Sequence, residues 1–162
     1  MKTLFIIRHA KSSWLLGAEN DFDRPLNDRG KTEGPEMAKR LHKRISEISC
    51  FISSPARRAR KTAKYFAHEF GQTENDIRLV PELYYAATET FFDVVSSINN
   101  YCQSAAIFSH NPGITEFVNL LTTNRIDNMP TSGIFAVRTS IENWNEFRKG
   151  EKEFFFFDYP KL

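Results

Sequence analysis

The sequence predicts an α/β fold with a mostly parallel central sheet and helices on both faces. Two short runs, residues 4–7 and 105–108, are continuously apolar and are typical of strands buried on both sides. Segments with helical spacing alternate with further strand-like runs along the rest of the chain. This alternation is typical of parallel strands joined by helical crossovers.

The first half of the chain contains three predicted strands and two predicted helices. Met37, Leu41 and Ile45 are spaced by four and predict an amphipathic helix. Pro35 fits the first turn of a helix better than its middle, so we expect this helix to begin, or to restart, near Gly34. The other predicted elements after the first strand are strands at residues 49–53 and 77–80 and a helix over residues 56–70.

The second half continues the alternation of helices and strands. Its predicted elements are a helix over residues 89–99, a strand at 104–108, a helix over 114–121, and strands at 134–139 and 153–158. The segment after the first strand, residues 11–28, is rich in Asp, Asn and Gly and is expected on the surface near the end of that strand. No repeat or linker divides the 162 residues, so we predict one domain over residues 1–162.

Charge and cysteine content narrow the classes of function. The 22 Lys and Arg residues nearly balance the 20 Asp and Glu residues, and no basic block stands apart, so nucleic acid is not a predicted partner. The first apolar run is interrupted by Arg8, which makes it too short for a signal peptide or a membrane span. We therefore expect a cytoplasmic protein with no membrane partner. Cys50 and Cys102 form no CxxC pair and are expected to be reduced core residues.

Two of the predicted strands end in a histidine. The first apolar run leads into Arg8 and His9, and the run at residues 105–108 leads into Ser109 and His110. Open α/β sheets bind ligands beyond the carboxyl ends of their strands. Arg58, in the first turn of the helix after the second strand, can reach the same edge with two parallel donors for a phosphate. The sequence therefore predicts a phosphate site there.

Such a group of side chains suits phosphoryl transfer, in which catalysis depends on positioning and on cations that stabilise charge on the phosphoryl oxygens. His9 is the predicted nucleophile, and neighbouring arginines are expected to disfavour its imidazolium form. His110 is predicted to donate to a phosphoryl oxygen. We predict no metal and no cofactor, because the arginines would repel a divalent cation and no suitably spaced ligand set accompanies the two histidines.

Several motifs together resemble those of the histidine phosphatase superfamily, and most closely its small phosphohistidine phosphatases of the SixA type. The motifs are Arg8-His9-Ala10-Lys11-Ser12, Arg24-Pro25-Leu26, Ser54-Pro55-Ala56-Arg57-Arg58-Ala59, Ser109-His110-Asn111-Pro112-Gly113 and Pro130-Thr131-Ser132-Gly133. The resemblance implies a phosphoglycerate mutase-like three-layer sandwich in which one strand runs against the others. It also implies that His9 accepts the phosphoryl group and that Arg8, Arg58 and His110 bind it.

Three further residues are predicted to contact the substrate. The resemblance implies that Arg24 adds a cation to the site, although from the sequence alone it could pair with Asp21 or Asp23. Asn111 follows His110 and is predicted to bind substrate. Glu82 lies where many members of the family place a general acid, although its position also fits the end of a strand, and Glu89 is a weaker candidate for the acid.

The predicted activity is hydrolysis of phosphohistidine in a phosphorylated partner protein, such as a histidine phosphotransfer domain, with inorganic phosphate as product. The alternative is a phosphomonoesterase that acts on a small phosphorylated metabolite with the same nucleophile and needs a working acid. A phosphate-binding module without catalysis is disfavoured, because binding alone gains nothing from a histidine in line with phosphorus.

Overall fold

A computed structural model describes residues 1–14 and 20–161 of the chain. Part of the predicted surface segment 11–28, residues 15–19, lies outside the described residues. The strands are β1 (Lys2–Arg8), β2 (Cys50–Ser53), β3 (Ile77–Leu79), β4 (Ser104–Ser109), β5 (Ile134–Thr139) and β6 (Lys152–Asp158), and the α-helices are α1 (Asp28–Arg44), α2 (Arg57–Glu69), α3 (Thr88–Ser96) and α4 (Gly113–Val118). None of the helices described is both long enough and apolar enough to cross a membrane.

The strands form one sheet in the order β3-β2-β4-β1-β5-β6. Strands β3, β2, β4 and β1 are parallel to one another. Strand β5 is antiparallel to both β1 and β6, so it alone among these six strands runs against the others. The predicted mostly parallel sheet with one reversed strand is confirmed.

Helices cover both faces of the sheet, as predicted, because successive side chains of a strand point to opposite sides. Leu4 and Ile6 of β1 join a core cluster that includes residues of α3 and α4. Phe5 and Ile7 join a second cluster with residues of α1 and α2. The result is a three-layer sandwich whose central strand, β1, is buried on both sides.

Helix α1 begins at Asp28, so the predicted start near Gly34 is wrong. The side chain of Asn27 accepts a hydrogen bond from the Gly30 N–H at 2.8 Å and caps the helix there. Pro35 consequently lies inside the helix, where it removes one backbone hydrogen bond. A favourable cap and the buried face of the helix outweigh the local preference of proline.

The prediction of two reduced cysteines is also wrong. Cys50 and Cys102 form a disulfide in the structure, with Cα atoms 6.0 Å apart. Cys50 begins β2 and Cys102 lies just before β4, which is the neighbour of β2 in the sheet. The spacing of 52 residues in the sequence does not reveal this proximity.

Lys2 holds the amino end of β1, at the opposite end of the strand from His9. Its side chain is buried, and its Nζ donates to the carbonyl oxygens of Asn100 at 3.0 Å and Cys102 at 3.3 Å. The ammonium group also lies 5.4 Å from the centroid of the Trp144 ring. These contacts satisfy a buried charge and tie β1 to the segment that leads into β4.

Replacement of Lys2 by Met tests this anchor. We expect Lys2→Met to lower the free energy of unfolding by about 2 kcal/mol, because two carbonyl groups lose a charged donor. Denaturant titration measures the change, and Lys43→Met, at an exposed lysine in the last turn of α1, is the matched control. Equal stability of the two variants would show that the Lys2 contacts do not stabilise the fold.

Candidate active site

A cavity of about 190 Å³ opens beyond the carboxyl ends of β1 and β4. Its lining includes six of the seven predicted site residues, Arg8, His9, Arg24, Arg58, His110 and Asn111, together with Lys11, Ser12, Tyr85 and Thr131. Most of these side chains are polar or cationic. The strand ends therefore converge on one polar pocket.

Backbone hydrogen bonds from three directions hold His9 in place. The His9 N–H donates to the Ser109 carbonyl at 3.2 Å, and the His9 carbonyl accepts from the Ser132 N–H at 3.1 Å. The next N–H, of Ala10, donates to Thr62 Oγ1 of α2 at 2.9 Å. Strand β4, the segment before β5 and helix α2 thus fix the chain at the end of β1.

One hydrogen bond defines the tautomer of His9. Nδ1 lies 2.8 Å from the carbonyl oxygen of Ala10, and a carbonyl can only accept, so Nδ1 carries the ring proton. Nε2 then holds a lone pair, and Arg58 Nε donates toward it at 3.4 Å. A free ring nitrogen of this kind is what a histidine nucleophile requires.

His9 remains neutral at physiological pH. Burial is the largest cause that holds its pKa well below the usual range, followed by His110, with Arg58 and Arg8 contributing in the same direction. The arginines therefore lower the pKa of His9 as expected, but desolvation of the ring lowers it more.

The second histidine, His110, faces His9 with the ring centroids 5.1 Å apart. Burial, reinforced by Arg58, lowers its pKa to about 3. Its Nε2 lies 2.7 Å from Ser54 Oγ, which also accepts from the Ala56 N–H. When the Ser54 hydroxyl donates to Nε2, the ring proton sits on Nδ1, a buried atom with no hydrogen-bond partner among the described residues. This N–H can donate to a ligand.

The guanidinium groups offer similar donors. Arg8 Nη1 donates to the Met129 carbonyl at 2.9 Å, whereas the buried Nε atoms of Arg8 and Arg24 have no hydrogen-bond partner in the described part of the chain. Such unpaired donors beside a polar cavity fit an anion with several oxygen atoms.

Within residues 1–14 and 20–161, no group of three or more His, Cys, Asp or Glu side chains could hold a metal ion.

Arg24 pairs with Asp21, one of the two candidate partners that the sequence left open. Its Nη2 pairs with Asp21 Oδ1 at 2.9 Å, and its Nη1 donates to Ser12 Oγ. The guanidinium carbon lies 4.4 Å from the centroid of the Trp14 ring. Arg24 nevertheless lines the cavity, so the ion pair and the expected position at the site coexist.

Asn111 lines the cavity, but its amide is occupied by the protein. Nδ2 donates to the Asn128 side chain at 2.9 Å and to the Met129 carbonyl at 3.1 Å, and Oδ1 accepts from Thr115 at 2.6 Å. These bonds connect the start of α4 to the segment before β5. The geometry therefore supports an orienting role for Asn111 at the site.

Glu82 is not among the residues that line the cavity. It is exposed, in a short 3₁₀ helix at Pro81–Leu83. The cavity is lined instead by Tyr85, whose φ of 55° is a left-handed conformation that bulky residues seldom adopt. The side chain that this part of the chain contributes is a phenol and not a carboxylate.

Sequence reasoning did not identify Asp21, Tyr84 and Tyr85 as parts of the site. Both phenols donate to Asp21 Oδ2 at 2.7 Å, so a loop after β1 and the segment before α3 meet there. A weak signal existed, since Asp21 precedes Arg24 by three residues and was one of its two candidate partners. Nothing in the local pattern indicated the tyrosines.

The sequence of the chain is similar to those of known proteins. A sequence model of the histidine phosphatase superfamily (branch 1) matches residues 4–90. An uncharacterized protein of Mycobacterium leprae is 29% identical, over 96% of this chain and 100% of its own length.

Solved structures share the fold along nearly the whole chain. One from Agrobacterium tumefaciens, assigned as the phosphohistidine phosphatase SixA, is 25% identical with a TM-score of 0.81 and covers 99% of each chain. A tungstate complex of the protein histidine phosphatase SixA is 24% identical with a TM-score of 0.81, over 97% of this chain and 96% of that one. Since the family match spans more than half of the chain, the protein belongs to the histidine phosphatase superfamily and is a phosphatase, and its fold is similar to that of structures assigned as SixA.

Proposed function

We propose that this phosphatase hydrolyses phosphohistidine carried by a partner protein, with His9 as the phosphoryl acceptor. The observation that carries the proposal is the pairing of a neutral His9 with a cavity whose described lining contains cations, hydroxyls and amides but no carboxylate. His9 has a free ring nitrogen for attack, whereas none of the described residues that line the cavity is a carboxylic acid that could protonate a leaving group. Similarity to a protein assigned as SixA supports the same substrate class.

In the first step, His9 Nε2 attacks phosphorus and forms a P–N bond while the P–N bond to the substrate imidazole breaks. The electron pair of the broken bond stays on the substrate nitrogen, which takes a proton from water. In this step Arg8 Nε, Arg24 Nε and the Nδ1–H of His110 bind the phosphoryl oxygens, a role that their lack of a partner among the described residues supports. One P–N bond replaces another, so the transfer needs little acid assistance.

In the second step, water attacks the phosphorus atom on His9. A P–O bond forms as the P–Nε2 bond breaks, and the electron pair of the broken bond returns to the ring nitrogen. The proton released by the attacking water neutralises the hydroxide left by the first step, and inorganic phosphate leaves. The buried surroundings keep the regenerated imidazole neutral, so His9 is ready for the next turnover. Throughout both steps the protein contributes positioning and positive charge.

The leaving group separates phosphohistidine from an alkyl phosphate. An alkoxide must be protonated as it departs, and a general acid typically contributes roughly a hundredfold to ten-thousandfold to the rate. Glu82 lies outside the cavity lining. Burial raises the pKa of Asp21, but hydrogen bonds from Tyr85, Tyr84, Arg24 and Arg58 together outweigh it and hold the pKa below its usual range, so Asp21 stays ionised. These features favour an imidazole leaving group over an alkoxide.

The protonation state of the two histidines can be measured directly. We expect the NMR signals of the His9 and His110 ring carbons to show no titration midpoint between pH 5 and 8, because burial keeps both rings neutral. Assignment by His9→Gln and His110→Gln identifies the signals. A midpoint near the ordinary histidine value of about 6.5 in either ring would contradict the account.

The lowered pKa values of His9 and His110 also predict how the stability of the protein depends on pH. The unfolded chain takes up these two protons near pH 6.5, whereas the folded chain does not, so the free energy of unfolding should fall as the pH drops below about 6.5.

A panel of substrates tests the proposed activity. Wild type and Glu82→Gln are assayed on a phosphoramidate, on an aryl phosphate and on a sugar phosphate, with Glu89→Gln as the matched control at an exposed carboxylate paired with Arg148. We expect all three proteins to turn over the first two substrates equally and the sugar phosphate poorly, because only the alkoxide needs an acid. Efficient wild-type hydrolysis of the sugar phosphate, abolished by Glu82→Gln, would establish the phosphomonoesterase alternative.

A further inference from the structure

Asp21 contacts two of the guanidinium groups that line the cavity. Its Oδ1 accepts from Arg24 Nη2 at 2.9 Å, and its Oδ2 accepts from Arg58 Nη2 at 3.0 Å. Its main-chain carbonyl accepts from Arg58 Nη1 at 2.6 Å. A single residue thus engages both terminal nitrogens of Arg58 and one of Arg24.

Two tyrosines complete the surroundings of this carboxylate. The hydroxyl groups of Tyr84 and Tyr85 each donate to Asp21 Oδ2 at 2.7 Å. The carboxylate oxygens therefore accept from two guanidinium groups and two phenols, which fixes the orientation of the carboxylate. The loop after β1, the first turn of α2 and the segment before α3 are joined at this point.

The contacts decide which edge of Arg58 faces the cavity. Because Nη1 and Nη2 are bound to Asp21, the Nε–H edge is directed toward His9 Nε2 at 3.4 Å. Arg58 is 1% exposed and cannot reorient without breaking these bonds. In Arg24, a similar bond at Nη2 leaves the buried Nε without a hydrogen-bond partner among the described residues.

We propose that Asp21 is a positioning residue, which holds Arg24 and Arg58 so that their Nε–H edges meet the phosphoryl group. The assignment rests on the proposed function, because the guanidinium groups it positions are those proposed to bind phosphate. Arginine side chains lose rotamer freedom when they bind an anion. Ordering by Asp21 before the substrate arrives removes much of that cost from binding, which is the advantage of a preorganised site.

The direction in which the affinity for an oxyanion changes in an Asp21 variant separates a positioning role from a purely electrostatic one. Removal of the negative charge makes the cavity more positive, so charge alone predicts that an oxyanion binds more tightly to an Asp21 variant. Loss of positioning predicts weaker binding, because two guanidinium groups become free to turn away from the ligand.

The experiment measures the affinity for tungstate by calorimetry in wild type, Asp21→Asn and Asp23→Asn. Asp23 is the matched control, since it is exposed in the same loop and its change to Asn alters the charge equally. We expect Asp21→Asn to weaken tungstate binding about tenfold, the effect of losing one charge-assisted hydrogen bond. Asp23→Asn should bind as wild type does. Asp21→Asn should also raise the KM for an aryl phosphate, whereas Asp23→Asn should leave this KM unchanged.

A second variant, at Tyr84, has an expected effect on tungstate binding that a purely structural role of Asp21 would not explain. It does not line the cavity, and Tyr84→Phe keeps the ring that packs 5.2 Å from Phe22 and 5.6 Å from His110. We expect Tyr84→Phe to weaken tungstate binding in the wild-type background and to have no further effect in Asp21→Asn. This dependence follows if the phenol acts through the carboxylate.

The outcomes are distinct. Tighter or unchanged tungstate binding in Asp21→Asn would overturn the assignment and leave the proposed function standing. Wild-type protein that binds no tungstate would contradict the proposed function itself. If Asp21→Asn does not fold, as judged by its thermal transition, Tyr84→Phe carries the test, and unchanged tungstate affinity in that variant overturns the assignment.

Discussion

The hydrogen bond from His9 Nδ1 to the carbonyl oxygen of Ala10 is the interaction on which the chemistry of this site depends. It holds the ring proton on the nitrogen that faces the backbone and leaves the lone pair on the nitrogen that faces the cavity. Burial of the ring then keeps it neutral among several cations. A protonated ring would have no lone pair for phosphorus, and the opposite tautomer would direct it at a carbonyl.

The fold maintains this arrangement through a sheet that is covered on both faces. Strands β1 and β4 are parallel neighbours, so His9 and His110 emerge side by side at one edge. Helix α2 adds Arg58 from its first turn, and the reversed strand β5 begins just after the segment that binds the backbone of His9. Cationic and neutral groups are thereby packed together without a carboxylate among the described residues that line the cavity.

Most of this arrangement could be predicted from the sequence, because it follows from where buried strands end. Arg8, His9 and His110 are fixed by β1 and β4, whose apolar runs are continuous, and Arg58 by the first turn of a helix. Asp21 belongs to a loop, where position depends on tertiary contacts, and its only local signal was its spacing of three residues from Arg24. The disulfide of Cys50 and Cys102 likewise depends on the order of strands in the sheet.

Trapping of the phosphorylated enzyme identifies the residue that accepts the phosphoryl group. Wild type, His9→Asn and His42→Asn, a control at an exposed histidine of α1, are mixed briefly with a phosphoramidate and digested without acid for mass spectrometry. We expect one phosphoryl group on His9 in wild type and in His42→Asn, and neither modification nor turnover in His9→Asn. Turnover by His9→Asn at the wild-type rate, or phosphate on another residue, would contradict this expectation.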